Sequence, residues 1–183
     1  HSISQIGMVY GEYNTEKNVL EKREVYNPSK AGTPEKNWTF CDYKNKTHIV
    51  YQWYPLQIYE IINNITQFVC ERQLPRIFNN VRGSTSAFNY INEKGENEFW
   101  FIVHTVVYTK PRDYFHMFCV FDNEMNLKRY SAPFKFMNTN IEYCLSLIIK
   151  NEDVILSFSM KDNNSIIGIY DKNYIDEITC YTD

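Results

Sequence analysis

The sequence has no CxxC pair, no surplus of positive charge and no long apolar run. Each absence removes a class of function. Its five cysteines, Cys41, Cys70, Cys119, Cys144 and Cys180, stand alone, so no thiol spacing points to zinc. Single cysteines inside apolar runs read as buried, reduced thiols, which fits a cytoplasmic or other reducing compartment. A net charge of −3 lacks the basic stripe of a nucleic-acid binder. No stretch nears the roughly 20 apolar residues that span a bilayer, so no membrane partner is expected. The opening "HSISQIGMVY" has no charged segment leading into an apolar one, and no signal peptide is read there. Asn37, Asn45, Asn64 and Asn163 each begin an N-x-Ser/Thr triplet, which an Asn-rich chain produces by chance.

What the chain does have is aromatic side chains: 15 Tyr, 12 Phe and 3 Trp. Aromatic and β-branched residues suit pleated surfaces, which points to sheet. A hydrophobic share of 44% can build a real core, and 183 residues fit one domain, 1–183. "HIVYQWY", "FWFIVHTV", "YFHMFCVF", "VILSFSM" and "SIIGIYD" all read as strands. The one serious helix rival, "NIEYCLSLIIKNED", has an apolar run of about eight residues, short of the roughly 10 to 12 of a helix.

These strands recur in a fixed order. A short strand ("KNWTFCDY", "STSAFNYI", "IEYCLSLI") meets a polar turn and then a strongly apolar strand. A third strand follows, and then a weaker fourth ("TQFVCER", "LKRYSAPF", "EITCYT"). The spacing of roughly 50 residues is that of β-propeller blades. The expected fold is all-β: a propeller of about three blades, with "QIGMVYGEY" and "KREVYN" as the outer part of a preceding one. Closed propellers typically have four to eight blades. The chain therefore reads as the C-terminal portion of a longer propeller, or as one whose ring a partner closes.

Chemistry concentrates between Val81 and Asp122. Alternation puts His104 on one face with Trp100 and Ile102, and Tyr114 and His116 with Phe118. Each ring could be ordinary core. Arg82, beside Gly83, and Arg112, after Pro111, lie in turns that would border a propeller channel. Guanidinium groups there could fork onto phosphate or carboxylate, or pair with Asp113 or Glu71 on the surface. Glu142 and Asp162 are two further candidates, as the paired carboxylates of glycoside chemistry or as plain turn residues. Trp53 is the leading sugar-stacking ring, with blade-to-blade core as the alternative. Four scattered histidines form no metal spacing, and no cofactor is implied.

Taken in order, "EKNWTF", "YQWYPLQI", "RGST", "FIVHTV", "RDYFHMFCVFD", "SAPFKF" and "SFSMKDN" resemble the five-bladed propeller group of mannoside phosphorylases and related β-mannosyltransferases. The likeness is to its poorly characterised, glycosyltransferase-associated branch and runs from Glu35 to Tyr170. The resemblance implies a glycan, sugar phosphate or inorganic phosphate in the central channel. His104 and Arg82 would bind phosphate or a sugar oxygen, and Asp162 a sugar hydroxyl. Arg112, Tyr114, His116 and Glu142 match features without an assigned role. Two departures matter. The group's Glu-Asp-Pro-Arg motif, which carries its general acid, is absent, and Thr105 follows His104 where the phosphorylases have glycine. Without an acid on the leaving oxygen, this chain alone is not expected to catalyse the group's reaction. The competing expectation is a non-catalytic carbohydrate- or protein-binding scaffold attached to a glycosyltransferase.

Overall fold

A computed structural model describes residues 8–26 and 36–182; residues 5–7 and Asn27, at the ends of the first two strand-like words, lie outside them, as does Glu35. The described residues are all-β apart from one short helix and a 3-10 turn at Arg76–Asn80. They form four antiparallel sheets. Sheet A is the hairpin of β1 (Met8–Asn14) and β2 (Val19–Tyr26). Sheet B is a meander of β3 (Thr39–Tyr43), β4 (Lys46–Trp53), β5 (Leu56–Ile62) and β6 (Ile65–Arg72). Its first and last turns are the pairs Lys44-Asn45 and Asn63-Asn64, all four at positive φ. Two-residue turns of that kind match the twist of the flanking strands.

Sheet C has a broken first strand. β7 (Arg82–Gly83) and β8 (Phe88–Ile91) both pair with β9 (Asn97–Val107), followed by β10 (Asp113–Phe121) and β11 (Leu127–Tyr130). In the gap, the Thr85 hydroxyl accepts the Ile102 N–H at 2.9 Å, so the ladder stays satisfied. Sheet D is β12 (Glu142–Lys150), β13 (Asp153–Met160) and β14 (Asn164–Asp171).

The sheets stack in chain order, with an apolar layer between each pair. Tyr26 meets Trp38 and Ile49 between A and B. Cys41, Val50 and Trp53 meet Phe101, Val103 and Cys119 between B and C. Trp100, Ile102 and Phe118 meet Leu147, Leu156 and Phe158 between C and D. Sheet C is thus buried on both faces, and its central strands read as continuous apolar runs rather than alternating ones. Among the described residues nothing packs on the outer faces of sheets A and D, where apolar residues stay exposed.

One expected strand is something else. "EITCYT" supplies the end of a helix, α1 (Lys172–Ile178), in place of a fourth strand of sheet D. Asp171 caps it by accepting the Tyr174 N–H at 3.0 Å. Ile175 is buried in the C–D layer. Beyond the helix, Tyr181 bridges to Tyr130, which ties the end of the described chain back to β11. No helix among the described residues is long and apolar enough to cross a membrane.

At the outer edge of sheet C, Glu98 is buried and fully bonded. It accepts from Arg129 at 3.1 and 3.2 Å, Trp100 Nε1 at 2.9 Å and Asn92 at 3.1 Å. Burial pushes its carboxyl up, but Arg129, Asn92 and Lys128 outweigh this and hold it at about 2. Arg129→Leu leaves that carboxylate without its main partner. It is expected to lower stability by roughly 3–5 kcal/mol in urea unfolding. A loss below about 1 kcal/mol would show that Lys128 and Asn92 suffice.

Candidate site at the Arg82 rim of sheet C

Strand pairing sets Arg82 of β7 opposite His104 of β9, and His104 opposite His116 of β10. The three lie in one row across sheet C, yet their environments differ. Arg82 is half-buried at the rim and donates from Nη2 to the Tyr108 hydroxyl at 2.8 Å. Its guanidinium carbon is 5.9 Å from the centre of the Tyr108 ring. Arg112 approaches the same ring at 5.6 Å from the loop that enters β10. Two of the expected cations therefore converge on one exposed tyrosine.

Neither arginine is paired with a carboxylate among the described residues. Asp113 is bonded by Lys135 and Asn140, and Glu71 by Gln57 and Gln73. Beside Arg82 and Tyr108 lies a cleft of about 370 Å³, bordered also by Asn79, Asn80 and Val106. Arg82 borders this cleft, and Arg112 reaches it only through the Tyr108 ring they share.

His104 is buried behind this rim. Its Nδ1 is 2.9 Å from the Ser84 hydroxyl, its ring stacks on Tyr114 at 5.9 Å, and Tyr143 meets it edge-on at 5.1 Å. Burial pushes its pKa down to about 3, helped by the charges of His116, Arg82 and Lys36. An imidazole that weakly basic stays neutral near pH 7, and its hydrogen bond to Ser84 fixes the ring's orientation.

The other expected residues sit elsewhere. His116 is fully buried against Phe134 and Phe136, with neither ring nitrogen hydrogen-bonded. Glu142 is also buried. Its carboxylate accepts the N–H groups of Phe136, Met137 and Thr139 at 2.7, 3.0 and 2.7 Å, and the Thr139 hydroxyl. It pins a loop and has no open face. Asp162 is exposed in the β13–β14 turn at φ 52, a conformation Asp tolerates well.

Trp53 is core, 5.3 Å from Phe101 and 6.1 Å from Phe121, because a register shift between Val50 and Gln52 turns it to the Val50 side of β4. The residues that sequence reasoning passed over are Tyr108, Ser84 and Tyr143. The tail "YTKPR" carried the one available signal for Tyr108. Among the described residues no group of three or more His, Cys, Asp or Glu could hold a metal ion. Compared with known proteins, the chain matches no family model, no curated protein and no solved structure.

Proposed function

We propose that the four stacked sheets are blades of a β-propeller, and that the Arg82 rim of sheet C binds a phosphorylated sugar without turning it over. The meander order of sheets B and C and their face-to-face stacking support the blade assignment. So does the ordered likeness to the mannoside phosphorylase group. The observation that carries the ligand is the approach of Arg82 and Arg112 to Tyr108, with no carboxylate among the described residues to neutralise them. A phosphate monoester presents the oxygens and charge that two guanidinium forks satisfy, and Asn79, Asn80 and the Tyr108 hydroxyl can serve sugar hydroxyls.

Turnover would need an acid for the leaving oxygen. Glu142 is saturated by backbone donors, Glu98 is held ionised by Arg129, and His104 is unprotonated near pH 7. The expected activity is therefore recognition.

Calorimetry with mannose 1-phosphate and with mannose tests this. The phosphorylated sugar is expected to bind and the free sugar to bind at least about tenfold more weakly, since each charge-assisted bond contributes roughly 1.5–3 kcal/mol. Arg82→Ala and Arg112→Ala should each weaken binding by about 10- to 100-fold while leaving thermal stability in place. Equal binding by wild type and both variants would end the proposal.

A further inference from the structure

Tyr108 is 65% exposed. It lies in residues 107–112, an exposed stretch that runs from the end of β9 into the loop before β10. Its hydroxyl accepts from Arg82 Nη2 at 2.8 Å. The guanidinium carbons of Arg82 and Arg112 lie 5.9 and 5.6 Å from its ring centre. No other exposed tyrosine among the described residues has arginine against its ring. Two like charges beside one ring repel each other. Asp113, next to Arg112 in the chain, is held by Lys135 and Asn140 instead. Thr109 braces the loop: its N–H donates to the Val107 carbonyl at 2.9 Å and its hydroxyl to the Pro111 carbonyl at 2.7 Å. The surface thus presents a reachable hydroxyl together with two cations that an anion on that hydroxyl would satisfy.

We propose that Tyr108 is an acceptor for phosphorylation, and that its phosphate ester docks on Arg82 and Arg112 and closes the sugar-phosphate site. The donor is a nucleoside triphosphate held by a protein-tyrosine kinase. The bond from the γ-phosphorus to the leaving diphosphate oxygen breaks, and a bond from that phosphorus to Tyr108 Oη forms. The hydroxyl proton passes to the kinase's base. The ester carries a charge of about −1.5 to −2 near pH 7 and three strong acceptor oxygens. Rotation about the Cζ–Oη bond swings those oxygens toward Arg82, which already donates to Oη itself. Arg112, against the same ring, supplies the second fork. A phosphate held there takes the place of the ligand's phosphate, and its charge repels a second one. The docking stands on the geometry of Tyr108 and the two arginines, whereas the closure rests on the phosphorylated-sugar reading.

Two experiments on the intact protein test this. In the first, the protein is incubated with ATP and a broad-specificity tyrosine kinase, and the modified positions are read by peptide mass mapping. Tyr108 is expected to carry phosphate, and a Tyr108 left unmodified overturns the acceptor claim. In the second, phosphotyrosine is installed at position 108 by amber suppression and titrated by phosphorus NMR. Free phosphotyrosine changes charge near pH 6. Guanidinium partners favour the dianion, so the midpoint at position 108 should fall to about 5 or below. Arg82→Ala and Arg112→Ala should each move it back toward 6. A midpoint that stays near 6 with both arginines present overturns the docking. Calorimetry of the same protein with mannose 1-phosphate reads the closure. The phosphorylated form should bind at least about tenfold more weakly than the unmodified one, and equal affinity overturns the closure. If the unmodified protein binds no mannose 1-phosphate, the sugar reading and the closure fail together, while the phosphorus titration still decides the docking.

Discussion

Lowering the pH from 7 to 4 is expected to remove much of the stability of the fold, with two buried histidines as the cause. An unfolded imidazole takes up its proton near pH 6.5. In the fold, burial holds His104 down at about 3, helped by the charges of His116, Arg82 and Lys36, and burial alone holds His116 at about 4. Between these values the unfolded chain binds more protons than the folded one, so stability falls as pH falls through that window. The slope approaches about 1.4 kcal/mol per pH unit for each imidazole. By pH 4 the pair costs roughly 3–7 kcal/mol, a large share of a typical 5–15 kcal/mol. Carboxylates such as Glu98 act mainly below this range, since its folded carboxyl protonates only near 2.

His116→Phe isolates the effect. Neither nitrogen of His116 has a partner, and its ring already lies among Phe134 and Phe136. The variant should gain about 1–2 kcal/mol at pH 7, because an unsatisfied buried polar group is removed. It should also lose about half of the slope between pH 6 and 4.5. Urea midpoints measured across that range decide it, and an unchanged slope would acquit His116.

Glu142→Ala is expected to cost about 3–5 kcal/mol, the second large effect. The carboxylate is the acceptor for three backbone N–H groups of residues 136–139, and bonds to a charged acceptor contribute roughly 1.5–3 kcal/mol each. Truncation leaves those donors unpaired beside the C–D layer, where Phe136 stacks on Phe158 at 4.4 Å. Glu142→Gln keeps an oxygen for Met137 and Thr139 and should recover about half of the loss. Thermal unfolding of the two variants reads this out. A Glu142→Ala protein within about 0.5 kcal/mol of wild type would mean that the loop rearranges to satisfy itself.

The strands were legible because burial follows the pleat. "FWFIV" and "FHMFCVF" are apolar on both faces, and sheet C proves to be covered on both. The hairpin turns announced themselves as Lys-Asn and Asn-Asn pairs, residue types that tolerate positive φ. Helix α1 was hidden by its length, since seven residues give too few turns for a period to register. Trp53 was read as a stacking ring with blade-to-blade core as the alternative, and the register shift in β4 sets it in the B–C layer beside Val50. Arg112 was legible as a loop cation, whereas Arg82, read as a turn residue, sits in β7 paired with β9. Their meeting at Tyr108 was not legible, because it depends on a contact between β7 and the residue just after β9, 26 residues apart in the chain. The burial of Glu142 and His116 likewise depends on the loop at residues 134–139, whose path the sequence does not announce.

The most direct test of the central claim is to follow the arginine Nε–H signals by NMR during titration with mannose 1-phosphate. The signals of Arg82 and Arg112 should shift together along one saturation curve, weakening as salt is added. Shifts confined to other residues, or none at either arginine, would contradict the proposed site.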